Sequence, residues 1–586
     1  MTPWLKAAIC SSTALAGHAA PGPSTTGQSV RTHFEAKRPC ALSPLTTVDQ
    51  HSSAVQDTLL AKLRAVNPAP SLLAAVVLIQ QLVVAFRLGF YSDDWEFMWI
   101  FHTASGRSPL DLFRAVYNAQ PWTRVRPVQL WYLSLSYSAF GQNPLGYHLL
   151  NLAFFVASVV VLYLALRRLG LSDKVSVSIP LIYSVLPHYS SDRFWIAAAQ
   201  ANIAMFGLIL NLYAGLRALS SGGRLARWMW TLLSVGALLL SGLAYEVSVP
   251  LFLITGVVLW KRAATGQRIL LVPAALSFMA LIVFKLASER ATLYTPLPIH
   301  LANLLIYSTR VNLIGHVVFL PAILWQIATR YPTVLAFSTA FLVVAVTRCS
   351  FRRDFGEAQA TGTWRRLLAL GAITYVLGYA VFFVNEQVGY SLTGSLNRTA
   401  IAATLGLAII IVACAGIVRG GRHFVGLIST VCFCGVLLNT TLGTMWCDAS
   451  ERQQQILATV HKQFPALPAN TTILVDGVCP YIGPGIVFES SLDLGSALKL
   501  LYRDSTLDGN VVTPDLKAES NGLSRNMYGD RYLHAYSQNL LAFDYRSGRV
   551  SRLVDEASSR KYLLNAARRN VCPPSELGKG EQVFSR

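Results

Sequence analysis

The stretch YSDDWEFMWIF, residues 91–101, sets Asp93, Asp94 and Glu96 among aromatics directly after a long apolar run. Carboxylates held by aromatic side chains at a membrane interface are partly desolvated, and desolvation raises both their pKa and their strength as bases. The pattern therefore offers a general base at a membrane surface; a solvated helix end is the plainer alternative. Further on, in TRVRPVQL, Arg126 precedes Pro127. Proline suits the first turn of a helix because its missing N–H would be unpaired there anyway. Arg126 then stands just ahead of a helix N-terminus, where a guanidinium binds phosphate through two parallel hydrogen bonds or snorkels to lipid headgroups.

Other charged residues gather between apolar runs. PHYSSDRFWIAAAQAN carries His188, Asp192, Arg193 and Gln200, either a site or a polar turn. LAYEVSVP puts Tyr245 and Glu246 in a very short turn, where an acid is costly unless it is paired or lines a cavity. Lys285, Glu289, Arg290, Tyr294 and His300 follow in the segment 285–310. In SLNRTAIAATLG, Arg398 opens a helix, so its charge and the helix N-terminus both favour phosphate. No cysteine spacing fits a metal: Cys432 and Cys434 lie in an apolar helix and read as packing. Cys479 and Cys572 fall in a polar region and would pair if it faces an oxidising compartment.

The elements that position these residues are membrane helices. Of 586 residues 53% are hydrophobic and only 13% charged, against about 25% charged in soluble domains. The net charge of +20 comes without any Lys/Arg tract interleaved with aromatics. Basic residues spread between apolar runs are what the positive-inside rule produces, so no nucleic-acid partner is expected. Apolar runs at 71–90, 147–166, 175–189, 196–216, 228–245, 247–260, 268–287, 331–347, 367–384, 399–418 and 424–443 read as spans. Two more, 127–140 and 311–328, span or lie at the interface, giving roughly 11 to 13 membrane helices.

Loops rich in Lys and Arg, such as those holding Arg167, Arg168 and Lys174 or Arg217, Arg224 and Arg227, belong to the cytoplasmic side. That rule puts the N-terminus in the cytoplasm and the C-terminus outside. Residues 1–70 read as a disordered tail and 71–445 as the membrane domain, with the segment 91–126 as its first outer loop. From 446 to 586 the pattern turns soluble and α/β: SERQQQILATVHKQF as an amphipathic helix, TTILVDG as a strand, SALKLLYR as a helix, and a hairpin turning at Ser547 and Gly548.

An acidic pair opening the first outer loop, a later basic residue plus proline starting a helix, and then GQNPLGYH leading into another helix resemble the GT-C superfamily of integral membrane glycosyltransferases, in particular its protein O-mannosyltransferase and aminoarabinose transferase branch. The resemblance covers about residues 71–445; the second acid is Asp where the branch has Glu. It implies a mainly α, polytopic GT-C-like fold in the plasma membrane with a small extracytoplasmic α/β domain. It also implies a polyprenyl-phosphate sugar as donor, a glycan, lipid or protein as acceptor, and transfer on the outer face of the membrane. Asp93, with Asp94, would supply the base. Arg126, Arg398, Lys285 and Arg290 would hold the departing phosphate, the segment near 285–310 corresponding to a loop that covers the donor. Glu96, Asp192, Arg193, Tyr245 and Glu246 are further candidates. No metal or other cofactor is expected, though Mg²⁺ or Mn²⁺ held by paired acids stays open as in the oligosaccharyltransferase branch. A ligase or polymerase of lipid-linked oligosaccharides and a non-catalytic transporter or flippase are the rival readings.

Overall fold

The computed structural model describes residues 68–288, 296–315, 318, 324–325, 327–329, 331–340, 361–383, 391–418, 422–527, 530–569 and 572. Six helices among them are long and apolar enough to cross a membrane: Pro144–Arg168, Ile196–Ser220, Arg224–Ala244, Thr265–Ser288, Ser395–Val418 and His423–Gln463. The chain is an integral membrane protein.

Helix α1 (Ala69–Ala85) leads through an irregular corner to α2 (Asp93–Thr103) and α3 (Pro109–Ala119). Helix α4 (Pro127–Phe140) begins at its proline, as read from the sequence, and α5 (Pro144–Arg168) follows after one short turn. In α5, Asn143 caps the start by accepting from Leu145 N at 3.1 Å. Arg167 and Arg168 close its last turn, where the helix dipole favours cations. Next come α6 (Asp173–Val185), α7 (Gln200–Ser220), α8 (Arg224–Ala244), α9 (Phe252–Arg262), α10 (Val272–Ser288) and α11 (Leu297–Thr309).

Two of the expected spans are shorter than a bilayer requires. Helix α6 has 13 residues and stops at Leu186, which is extended because Pro187 disfavours a helical residue before it. Helix α9 has 11 residues, preceded by a 3₁₀ turn over Glu246–Leu251. Helix α4, at 14 residues, is also too short to cross. Part of 311–328 lies outside the described residues.

Helix α12 (Thr361–Gly378) packs on α13 (Ile401–Val418) through glycines. A Cβ at Gly406 would stand 2.3 Å from Tyr375 N and 2.7 Å from Gly371 O, so only glycine permits this backbone approach. The last membrane helix and the amphipathic helix expected after it are one element, α14 (Arg422–Gln463), 42 residues long. At 1.5 Å per residue it extends about 60 Å, carrying the chain from the bundle into the C-terminal region.

There a four-stranded sheet has the order β4-β1-β8-β9. β1 (Thr472–Asp476) lies parallel to both β4 (Asp508–Val511) and β8 (Leu540–Asp544), with Thr472 facing Asp508 and Leu540. β9 (Val550–Arg552) returns antiparallel to β8 around the turn at Ser547 and Gly548. β2 (Tyr481–Ile482) and β3 (Gly485–Ile486) form a small hairpin, and β5 (Lys517–Glu519), β6 (Gly522–Met527) and β7 (Asp530–Ala535) an antiparallel meander. Helix α15 (Ser496–Tyr502) precedes β4, and α16 (Glu556–Arg569) ends the described fold. Cys479 and Cys572 are disulfide-bonded, with Cα atoms 5.6 Å apart. One hydrophobic core joins Val77 and Phe155 of the bundle to Trp446, Val475 and Phe488, so the C-terminal region is packed onto the bundle.

Candidate active site

The corner between α1 and α2 is built by hydrogen bonds from distant elements. Tyr91 donates its hydroxyl to Trp446 O of α14 at 2.7 Å, and Trp195 Nε1 donates to Tyr91 O at 3.0 Å. Asp94, 1% exposed, accepts from Tyr91 N at 3.0 Å through Oδ2 and from Ala197 N at 2.7 Å through Oδ1. Both of its oxygens are thereby committed to the backbone. Ser92 sits between them at φ 47°, ψ −122°, a region that L residues other than glycine rarely occupy.

Asp93, next in line, is only partly buried, and Ser92 Oγ lies 3.1 Å from its Oδ1. Burial pushes the Asp93 carboxyl above its usual range, against the pull of the Arg398 guanidinium and of Ser92. Glu96, one turn on, is pushed up to about 7 by burial and by the charge of Asp93, while Gln120 and Lys499 act the other way. The acidic pair thus divides: Asp94 clasps the backbone, and Asp93 is partly exposed with a raised affinity for protons.

Arg398 comes from the 3₁₀ turn Ser395–Ala400 that opens α13. Its guanidinium lies 4.9 Å from the centre of the Trp195 ring and forms no ion pair among the described residues. The turn is fixed by Asn397, which accepts from Ser191 Oγ at 2.5 Å and donates to Ser190 Oγ at 3.0 Å. Beside it Asp192 is wholly buried, and neither of its carboxylate oxygens has a hydrogen-bond partner. Arg193 points into the bundle: its guanidinium is 4.6 Å from the Tyr189 ring and 4.9 Å from the Phe155 ring, and it donates to Leu186 O at 2.9 Å.

A second cluster joins Arg126, Glu246 and Lys285. Arg126 donates to both oxygens of Glu246, from Nε at 3.0 Å and from Nη2, and lies 4.7 Å from the Tyr245 ring. Lys285 Nζ is 3.4 Å from Glu246 Oε2 and donates to Val125 O at 2.8 Å. Burial acts to raise the Glu246 carboxyl, but the two cations outweigh it and hold it down to about 2. Arg126 and Lys285, expected to hold phosphate, are here bound to an acid that would otherwise be an uncompensated buried charge. The charges of Arg126, Glu246, Arg398 and Asp192 all act on Tyr245. Arg290, with Glu289 and Tyr294, lies outside the described residues.

Three residues escaped the sequence reading: Ser92, Trp195 and Glu489. The last belongs to the C-terminal region and accepts from Ser92 Oγ at 2.7 Å. Trp195 carried a weak signal, being an aromatic beside a charged turn; Glu489, in GIVFESS, carried none. Among the described residues no group of three or more His, Cys, Asp and Glu is placed to hold a metal ion.

No family model matches the chain, and no curated protein matches it. Two solved structures are similar to it. Both are of ArnT from Cupriavidus metallidurans. The one bound to undecaprenyl phosphate has 12% identity and a TM-score of 0.35, over 75% of this chain and 85% of ArnT. The apo structure has 12% identity and a TM-score of 0.31, over 74% and 88%. The functional reading therefore stands on the geometry of the site.

Proposed function

We propose that the protein is a membrane glycosyltransferase that moves a sugar from a polyprenyl-phosphate donor to a hydroxyl or amine of a cell-envelope glycan, lipid or protein. The observation that carries this reading is that Arg398, a guanidinium with no ion-pair partner among the described residues, lies 4.9 Å from the ring of Trp195, which itself bonds to Tyr91 O in the corner that holds the partly exposed Asp93 carboxylate. Sugar transfer needs such a couple, a base for the attacking group and a cation for the leaving phosphate.

In the proposed step the acceptor oxygen or nitrogen bonds to the anomeric carbon as the bond from that carbon to the phosphate oxygen breaks. The acceptor's proton passes to Asp93, and the phosphate departs as polyprenyl phosphate with its charge met by Arg398. Asp94 positions Asp93 through its backbone clasp. Arg126 and Lys285 join the phosphate site when the donor competes with Glu246 for them, and Arg290 is a further phosphate ligand. Glu96 and Asp192 set the local field, and the step calls on no metal. Positive-inside charge supports an outer-face site in the plasma membrane, and the Cys479–Cys572 disulfide supports an oxidising compartment for residues 446–586.

The test uses protein in nanodiscs with radiolabelled polyprenyl-phosphate hexoses and pentoses and an acceptor pool from membrane extract. Single-sugar transfer to an acceptor supports the reading. Oligosaccharide products point to the ligase or polymerase, and donor binding without transfer points to the transporter.

A further inference from the structure

Ser92 Oγ stands between two carboxylates, 2.7 Å from Glu489 Oε1 and 3.1 Å from Asp93 Oδ1, and has a single proton to give. Glu489, fully buried, is set rigidly for that proton. Tyr481 of β2 donates its hydroxyl to the other carboxylate oxygen, Arg525 of β6 donates to the Glu489 carbonyl, and Asp493 Oδ2 accepts from Glu489 N at 2.7 Å. Phe488, the residue before it, packs its ring 6.5 Å from that of Trp95 in α2. Burial and the charge of Glu489 push the Asp493 carboxyl upward. The strained backbone of Ser92 is what aims its hydroxyl at both acids.

We propose that Glu489 is a positioning residue for Asp93: the C-terminal region takes the Ser92 proton, which keeps that proton from Asp93 and leaves Asp93 free to accept one from the substrate. The inference rests on the base role given to Asp93 above and adds the device that sustains it. Asp94, Glu96 and Arg398 also face Asp93, and none of them reaches it through Ser92. Only the Glu489 effect should therefore depend on the Ser92 hydroxyl.

With Glu489→Gln the amide donates to Ser92 Oγ, and the Ser92 proton turns to Asp93, which becomes a weaker base. The experiment follows carbodiimide labelling of Asp93 against pH by peptide mass spectrometry on the full chain in nanodiscs, a readout that needs no turnover. Sugar transfer is measured in parallel. Glu489→Gln is expected to lower the labelling midpoint by about one pH unit and to lower kcat with donor affinity unchanged. In a Ser92→Ala background the same substitution is expected to give a clearly smaller shift, the through-space effect of the lost charge alone. An equal shift in both backgrounds, or none in either, overturns the proposal. Should Glu489→Gln fail to fold, Tyr481→Phe serves: removing the competing donor strengthens Glu489 as an acceptor, so the Asp93 midpoint should rise, and an unchanged midpoint overturns the proposal. If the labelling shifts appear while wild type transfers no sugar from any donor, the glycosyltransferase reading fails and the Ser92 link stands.

Discussion

Arg126 and Glu246, 120 residues apart in sequence, meet side by side, with Nε 3.0 Å from Oε2 and Nη2 on the other carboxylate oxygen. Lys285 Nζ closes on the same acid at 3.4 Å. Removing the acid strands two cations in a site where the three side chains are 22%, 14% and 8% exposed.

Glu246→Gln should accordingly cost about 3 kcal/mol of stability, read as a fall in the unfolding midpoint in detergent. The sign with pH follows from the folded pKa of about 2, below the ordinary 4.5. The stabilisation is full above 4.5 and is lost as pH falls from there towards 2. Wild type should lose melting temperature over that window more steeply than the variant.

Arg398 is expected to grip the donor. Arg398→Ala should weaken polyprenyl-phosphate binding by roughly ten- to a hundredfold, the loss of a charge-assisted hydrogen bond. Arg398→Lys should restore part of it, since an ammonium keeps the charge without the planar fork. Titration of donor into nanodisc-held protein measures both, and wild-type affinity in the alanine variant would remove Arg398 from the phosphate site.

Glu96 adds a titration near neutrality. With its carboxyl pushed up to about 7, it is charged above that pH, where it repels the Asp93 charge and strengthens Asp93 as a base, and it is neutral below. Glu96→Gln should abolish the component of the kcat profile near pH 7 and flatten activity between pH 6 and 8 (about the Glu96 midpoint). A profile identical to wild type would assign that limb elsewhere.

Much of this architecture is legible in the sequence because it depends on local pattern. Pro127 starts α4, and the turn at Ser547 and Gly548 joins β8 to β9. The boundary expected near residue 445 was the change from apolar to amphipathic pattern; nothing after Gly443 breaks a helix there, so α14 runs through it.

What local pattern cannot carry is tertiary exchange of partners. Asp93 and Asp94 are the same residue type, and only the backbone N–H groups of Tyr91 and Ala197 tell them apart. Arg126 reads as a phosphate or lipid ligand until the fold brings Glu246 to it. Ser92 and Glu489 meet across 397 positions, a contact that no spacing announces.

The base role of Asp93 is tested most directly by comparing wild type with Asp93→Asn in nanodiscs, measuring label transfer from polyprenyl-phosphate sugars and donor affinity on the same samples. The expected result is a fall in transfer of about 10²–10⁴-fold, the usual contribution of a general base, with donor affinity unchanged. Transfer at the wild-type rate by Asp93→Asn would contradict it.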